Sequence, residues 1–165
     1  MVGVVLGLGF QLCLTLHQPW QFVAFIFAYI DIIDYWIDYG PSLKRFPPKK
    51  EWDILLDVGI VFSLFLYIYS TQINVIYFLG AFILLRVLDF FWLLSSKVEY
   101  QTSGTDKIFV ATWLRFDLIE AFFALALIGV SYFFAFPAII ILAIYVPFRF
   151  LIRILASLRY RKAYL

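Results

Sequence analysis

Charge, cysteine and histidine are what this 165-residue chain has least of. The single cysteine, Cys13, excludes an internal disulfide and a thiolate metal cluster. The single histidine, His17, excludes haem held between paired histidines and leaves no credible Ser-His-Asp arrangement. No GxGxxG or P-loop glycine pattern is present, so nothing points to a soluble nucleotide-binding module. A net charge of +2 is too small to argue for nucleic acid as a partner. Charged residues make up 15% of the chain and hydrophobic ones 65%, with a mean hydropathy of +0.96, which leaves too little polar surface for a water-soluble fold. The lipid bilayer is therefore the expected surroundings, and the backbone is expected to satisfy itself as helices.

The apolar runs predict an all-α, polytopic integral membrane helical bundle. It forms a single transmembrane domain over 1–165, with about six spans near 1–16, 20–38, 53–71, 75–95, 108–134 and 138–158. The first run ends at His17-Gln18-Pro19-Trp20, a polar turn with an interfacial aromatic. It has no basic n-region and no small-residue cleavage pattern, so it reads as a span of about 24 Å rather than a signal peptide. Gly40-Pro41 and Pro47-Pro48 mark the connection after the second span as non-helical, and Ser96 to Lys107 reads as a solvent loop. The turns at His17–Trp20, Gln72–Asn74 and Ala135–Pro137 carry no Lys or Arg. The other two connections carry nearly all the lysines, and Arg159, Arg161 and Lys162 follow the last span. By the positive-inside rule this predicts three helical hairpins with both termini cytosolic.

Acids are concentrated between Tyr29 and Asp57. Asp31, Asp34 and Asp38 fall at i, i+3 and i+7 on one predicted helix, and Asp53 and Asp57 lie one turn apart on the next. Further along, Arg86, Asp89, Arg115, Asp117, Glu120, Arg149 and Arg153 fall inside apolar runs, all in the portion nearer the basic loops. Ionisable groups in such places are expected to face the bundle interior and one another. The acids Asp31, Asp34, Asp53 and Asp57 are the candidate proton or metal site, with the other charged residues as their partners. Carboxylates outnumber arginines at this depth, so some are left to bind a cation, hold a proton or reach water. Oxygen ligands of this kind suit magnesium or another hard divalent cation. A weak internal echo also aligns IDIIDYW at Ile30–Trp36 with LRVLDFF at Leu85–Phe91, and DILLDV from Asp53 with FDLIEA from Phe116. It pairs Asp31 with Arg86, Asp34 with Asp89 and Asp57 with Glu120, as a duplicated helix pair would.

The spacing Asp31-x-x-Asp34 followed by Asp53-x-x-x-Asp57, between the second and third of six spans, is similar to the acidic motif of CDP-alcohol phosphotransferases. The resemblance implies Asp31, Asp34 and Asp53 as ligands of divalent metal and Asp57 as the catalytic base. The chain departs from the family's pattern at Tyr35, Lys49 and the pair Asp38-Tyr39.

Three readings follow. One is a non-enzymatic membrane subunit or scaffold with its polar cluster on the cytosolic side. Another is a cation or proton channel or transporter, acting as a homo-oligomer or with other membrane subunits. The third, carried by the resemblance, is metal-dependent phosphotransfer to a lipid, with Arg86, Arg115 or Arg149 on the phosphate.

Overall fold

The computed structural model describes residues 2–161, and all the regular structure among them is helical. Met1 and Lys162 fall outside the described residues. The helices are α1 (Val2–Phe10), α2 (Pro19–Arg45), α3 (Glu51–Ser70), α4 (Val75–Tyr100), α5 (Gly104–Phe134) and α6 (Ala138–Arg161), with a short 3-10 turn at Gln11–Thr15 after α1. Five of them, α2 to α6, are long and apolar enough to cross a membrane, compatible with an integral membrane protein.

Polar residues at the connections explain where these helices start. Gln21 Oε1 accepts from the backbone of His17 and Gln18, while its Nε2 donates to the Gln72 carbonyl, which ties the start of α2 to the α3–α4 turn. Asn74 Oδ1 caps α4 through Tyr77 N at 2.9 Å, and Asp53 Oδ2 accepts from Lys49 N and Lys50 N at the start of α3.

Three boundaries differ from the sequence expectation. The first apolar run is not one long helix: α1 stops at Phe10, and Thr15 Oγ1 bonds back to the Leu12 carbonyl in the turn that follows. Three glycines in nine residues weaken it, and packing rather than propensity holds it. Gly9 seats against Ile68 and the Tyr29 hydroxyl, and that hydroxyl donates to the Leu6 carbonyl at 2.7 Å. Next, α2 runs through Gly40-Pro41 to Arg45. Proline removes one helical hydrogen bond, but Tyr39 and Ser42 are buried, Ser42 Oγ donates to the Asp38 carbonyl, and Arg45 pairs with Asp106. Tertiary anchoring outweighs the local break, and Phe46-Pro47-Pro48 ends the helix instead. Last, most of the segment Ser96–Lys107 is helical. Only Gln101–Ser103 separates α4 from α5, with Gln101 at φ 43° and Gly104 at φ 54°.

Helix α4 lies at the centre. Phe78, Leu79, Phe82, Leu85 and Arg86 are all buried along it, packed with Leu64 and Tyr67 of α3 and with Ile141 and Tyr145 of α6. Large apolar side chains such as Phe62, Phe122, Leu125, Ile144 and Leu151 face outward, as lipid contact requires. The two connections rich in lysine sit together at one end, here called the basic end. Arg45 pairs with Asp106 at 2.9 Å, Lys50 pairs with Glu99 at 2.6 Å, and the Tyr100 hydroxyl donates to the Pro47 carbonyl. The hydrogen bond to Glu99 raises the Lys50 pKa above that of an ordinary ammonium. The Lys50 charge is therefore complete at neutral pH, and its share of the tie is lost as pH rises through that raised value.

A Cβ at Gly9 would lie 2.9 Å from both Ile68 Cδ1 and the Tyr29 oxygen. Gly9→Leu is therefore expected to push α1 off α3 at a cost of about 1–3 kcal/mol. Limited proteolysis should then remove the N-terminal segment faster, while α2 to α6 melt at the wild-type temperature.

Candidate functional site

Four helices bring charged side chains to one level. Counted at 1.5 Å per residue from the helix ends opposite the basic end, Asp31 of α2, Arg86 of α4 and Arg149 of α6 are about 17 Å in, and Glu120 of α5 is about 21 Å in. Each helix is apolar on the way to this level, so the chain has no other place to put these groups than against one another.

Arg86 is the hub, with 1% of its side chain exposed. Its guanidinium lies 3.1 Å from Glu120, 3.3 Å from Asp117, 3.9 Å from Asp89 and 4.0 Å from Asp31. Arg149 completes a ring, with Nε 2.9 Å from Asp31 and Nη1 3.0 Å from Glu120. Tyr35 donates to Asp89 Oδ1 at 2.9 Å. Aromatic rings flank the hub, with the Arg86 guanidinium carbon 4.9 Å from the Phe82 ring centre and 5.6 Å from that of Tyr35. Several of these ion pairs are close but poorly aligned as hydrogen bonds. Among the described residues, Arg86 Nη2 and Asp117 Oδ2 are buried without a hydrogen-bond partner. The inner group thus holds four carboxylates, Asp31, Asp89, Asp117 and Glu120, around the two guanidinium groups of Arg86 and Arg149.

A second group lies nearer the basic end. Arg153 Nε is 2.7 Å from Asp34 Oδ2, its Nη1 bonds Asp38, and it lies over Trp113. These charges are partly exposed and form the edge of the site rather than its centre.

The structure separates the four acids singled out from the sequence. Asp31 belongs to the inner ring and Asp34 to the edge. Asp53 is a helix cap that also accepts from Ser95 Oγ at 2.7 Å, and Asp57 accepts from the Tyr39 hydroxyl at 2.6 Å. Among the described residues no group of three or more His, Cys, Asp or Glu side chains is arranged to hold a metal ion. Of the expected charge partners, Arg86, Asp89, Asp117, Glu120, Arg149 and Arg153 come together, whereas Arg115 lies on the exposed face of α5. The internal echo puts Asp31 and Arg86 in the ring facing each other, but it fails for Asp34, which lies at the edge while its counterpart Asp89 is in the ring. It does not hold for Asp57, which stays out of the ring that Glu120 joins.

Tyrosines are what the sequence reading missed. Tyr35 and Tyr39 continue the buried stripe of Asp31 at one-turn intervals, a signal available in the spacing. The hydroxyls of Tyr67 and Tyr145 meet at 3.1 Å across the bundle, from residues 78 apart, and no local pattern marks that pair. No family model, curated protein or solved structure matches this chain.

Removing one partner from a buried ion cluster costs far more than removing one from an exposed pair. Arg86→Gln is expected to lower stability in detergent by about 3–5 kcal/mol. Arg153→Gln should cost about 1 kcal/mol, and Arg115→Gln should stay within about 0.5 kcal/mol. Chemical unfolding of the three variants side by side checks this order.

Proposed function

We propose that this is a non-enzymatic integral membrane protein whose working part is the inner charge ring, which takes up and releases protons. One observation carries the reading: four buried carboxylates surround two guanidinium groups. Fully ionised, the ring would hold two uncompensated negative charges in an apolar core, a state whose cost in low dielectric is several kcal/mol per ion. Two bound protons bring it to neutrality. Protons suit the site better than metal ions do, because a proton needs no coordination shell and the interleaved guanidinium groups leave no cluster of free oxygens. Ionisable groups held within a membrane bundle are the usual components of proton relays. Proton-coupled transport or conduction is accordingly the function class.

The basic end is proposed to face the cytosol, as the positive-inside rule favours for Lys44, Arg45, Lys49, Lys50, Lys97 and Lys107. The C-terminal end lies on that side. The N-terminal end joins it if the segment before Pro19 completes a crossing. The ring would then lie near the middle of the helices, about 17–21 Å from their outer ends at the helical rise. Lipid would cover the outward apolar faces of α5 and α6.

Infrared difference spectroscopy at neutral pH should show the carbonyl band of protonated carboxyl groups, diminished in Asp117→Asn and in Asp89→Asn. Reconstituted into liposomes with an internal pH indicator, the wild type should dissipate an imposed pH gradient at least tenfold faster than Asp89→Asn. A wild type with no such band, and no proton movement above protein-free liposomes, would overturn the proposal.

Orientation is tested by replacing Cys13 with serine and introducing one cysteine at a time in intact cells. An impermeant maleimide should label the Ile73→Cys variant from outside and leave the Lys107→Cys variant unlabelled. The reverse pattern sinks the assignment.

A further inference from the structure

We infer that the cleft between α2 and the basic-end halves of α4, α5 and α6 is a water-binding path that connects Asp89 to the basic end, with an aromatic layer on the other side of the ring in this conformation. This rests on the proton-exchange reading and names the route by which the ring is reached. A cavity of about 30 Å³ runs here, lined by Asp34, Tyr35, Ser42, Arg86, Asp89 and Arg153 among others. A water molecule needs only about 10–15 Å³ of such space, so the cavity accommodates one or two. Along α2 its wall runs from Asp34 to Ser42, about 12 Å at the helical rise.

Arg86 gives the independent sign of a ligand. Its Nη2 is buried and makes no hydrogen bond among the described residues, and Arg86 is one of the residues that line the cavity. A buried donor without an acceptor costs about 1–3 kcal/mol, and a water oxygen would satisfy it. The hydrogens of that water have acceptors to hand, because the carboxylates of Asp34 and Asp89 line the same space. Tyr35 already donates to Asp89 Oδ1, so that carboxylate joins the protein ring to the cavity.

Exposure shows which way the path opens. The Asp34 side chain is 30% exposed and that of Asp38 22%, against 8% for Asp89 and 1% for Arg86. The mouth is therefore at the Asp34–Asp38–Arg153 edge. On the far side of the ring, the Tyr67 and Tyr145 hydroxyls bond each other, both residues fully buried. Their rings pack with Phe27, Phe78 and Phe82 at centroid distances of 4.7–6.0 Å. That layer carries no charged side chain. In one uptake step an O–H bond forms on the Asp89 carboxylate as an O–H bond of the adjacent water breaks. That water recovers its proton from the next one toward the basic end, and no other reactant is required.

Ser42 is on the wall of the path and bonds only the Asp38 carbonyl, so a bulkier residue there should obstruct the path without touching the ring. After a rapid pH jump, Ser42→Leu is expected to take up protons at least tenfold more slowly than the wild type, with an unchanged infrared carboxyl band at equilibrium. Uptake at the wild-type rate with the band intact would overturn the path and leave the proton-binding ring standing. Absence of the band from the wild type would instead overturn the ring and the path with it. Should Ser42→Leu fail to fold, Ser42→Cys on a Cys13→Ser background gives the second measurement. A small charged thiol reagent added at the basic end should label it, and lack of labelling in the folded protein overturns the path.

Discussion

The structure depends on neutralising Arg86. A guanidinium with 1% of its side chain exposed, in a bundle with apolar outer faces, persists only where carboxylates surround it. Asp31, Asp89, Asp117 and Glu120 do so from three helices, with Arg149 holding two of them from a fourth. Shape follows from this requirement. Helices α2, α4, α5 and α6 must present those residues at one level, which sets their relative heights more strictly than the packing of interchangeable leucines and phenylalanines could.

The same requirement links stability to function. Apolar side chains of similar volume would pack a membrane bundle at less cost than six charges, so the ring is a poor device for stability alone. On the proposed reading, what it provides is a place where charge and proton content are coupled. Its position along the helices is about four turns from the basic end. The aromatic layer around Tyr67 and Tyr145 has the complementary property, with the two hydroxyls sharing one hydrogen bond and no charge within it.

Helix α2 shows how local and tertiary forces divide the work. Its start is local, a glutamine reaching back to two backbone amides. Its end is tertiary, because Gly40-Pro41 would stop an isolated helix but the burial of Tyr39 and Ser42 and the Arg45–Asp106 pair carry it to Arg45. Helix α1 shows the opposite outcome. There the chain offers apolar residues without helix-favouring spacing, and the helix lasts only as far as its contacts with α3 and Tyr29.

The sequence by itself determined the helical class of the protein and which ionisable residues fall inside its apolar runs. Apolar runs of about twenty residues can satisfy their backbones in lipid only as helices, and ionisable residues within them are expected to turn inward, so the all-helical architecture was legible from composition and spacing. Only the tertiary structure decided which acid meets which arginine. Asp34 and Asp57 carry the same local signature as Asp31, one turn from another aspartate on an apolar helix. Yet one pairs with Arg153 at the edge and the other with a tyrosine outside the ring. Spacing along a helix assigns a residue to a face. The residue that meets that face depends on how helices far apart in sequence are rotated and shifted against one another, and no local pattern encodes that.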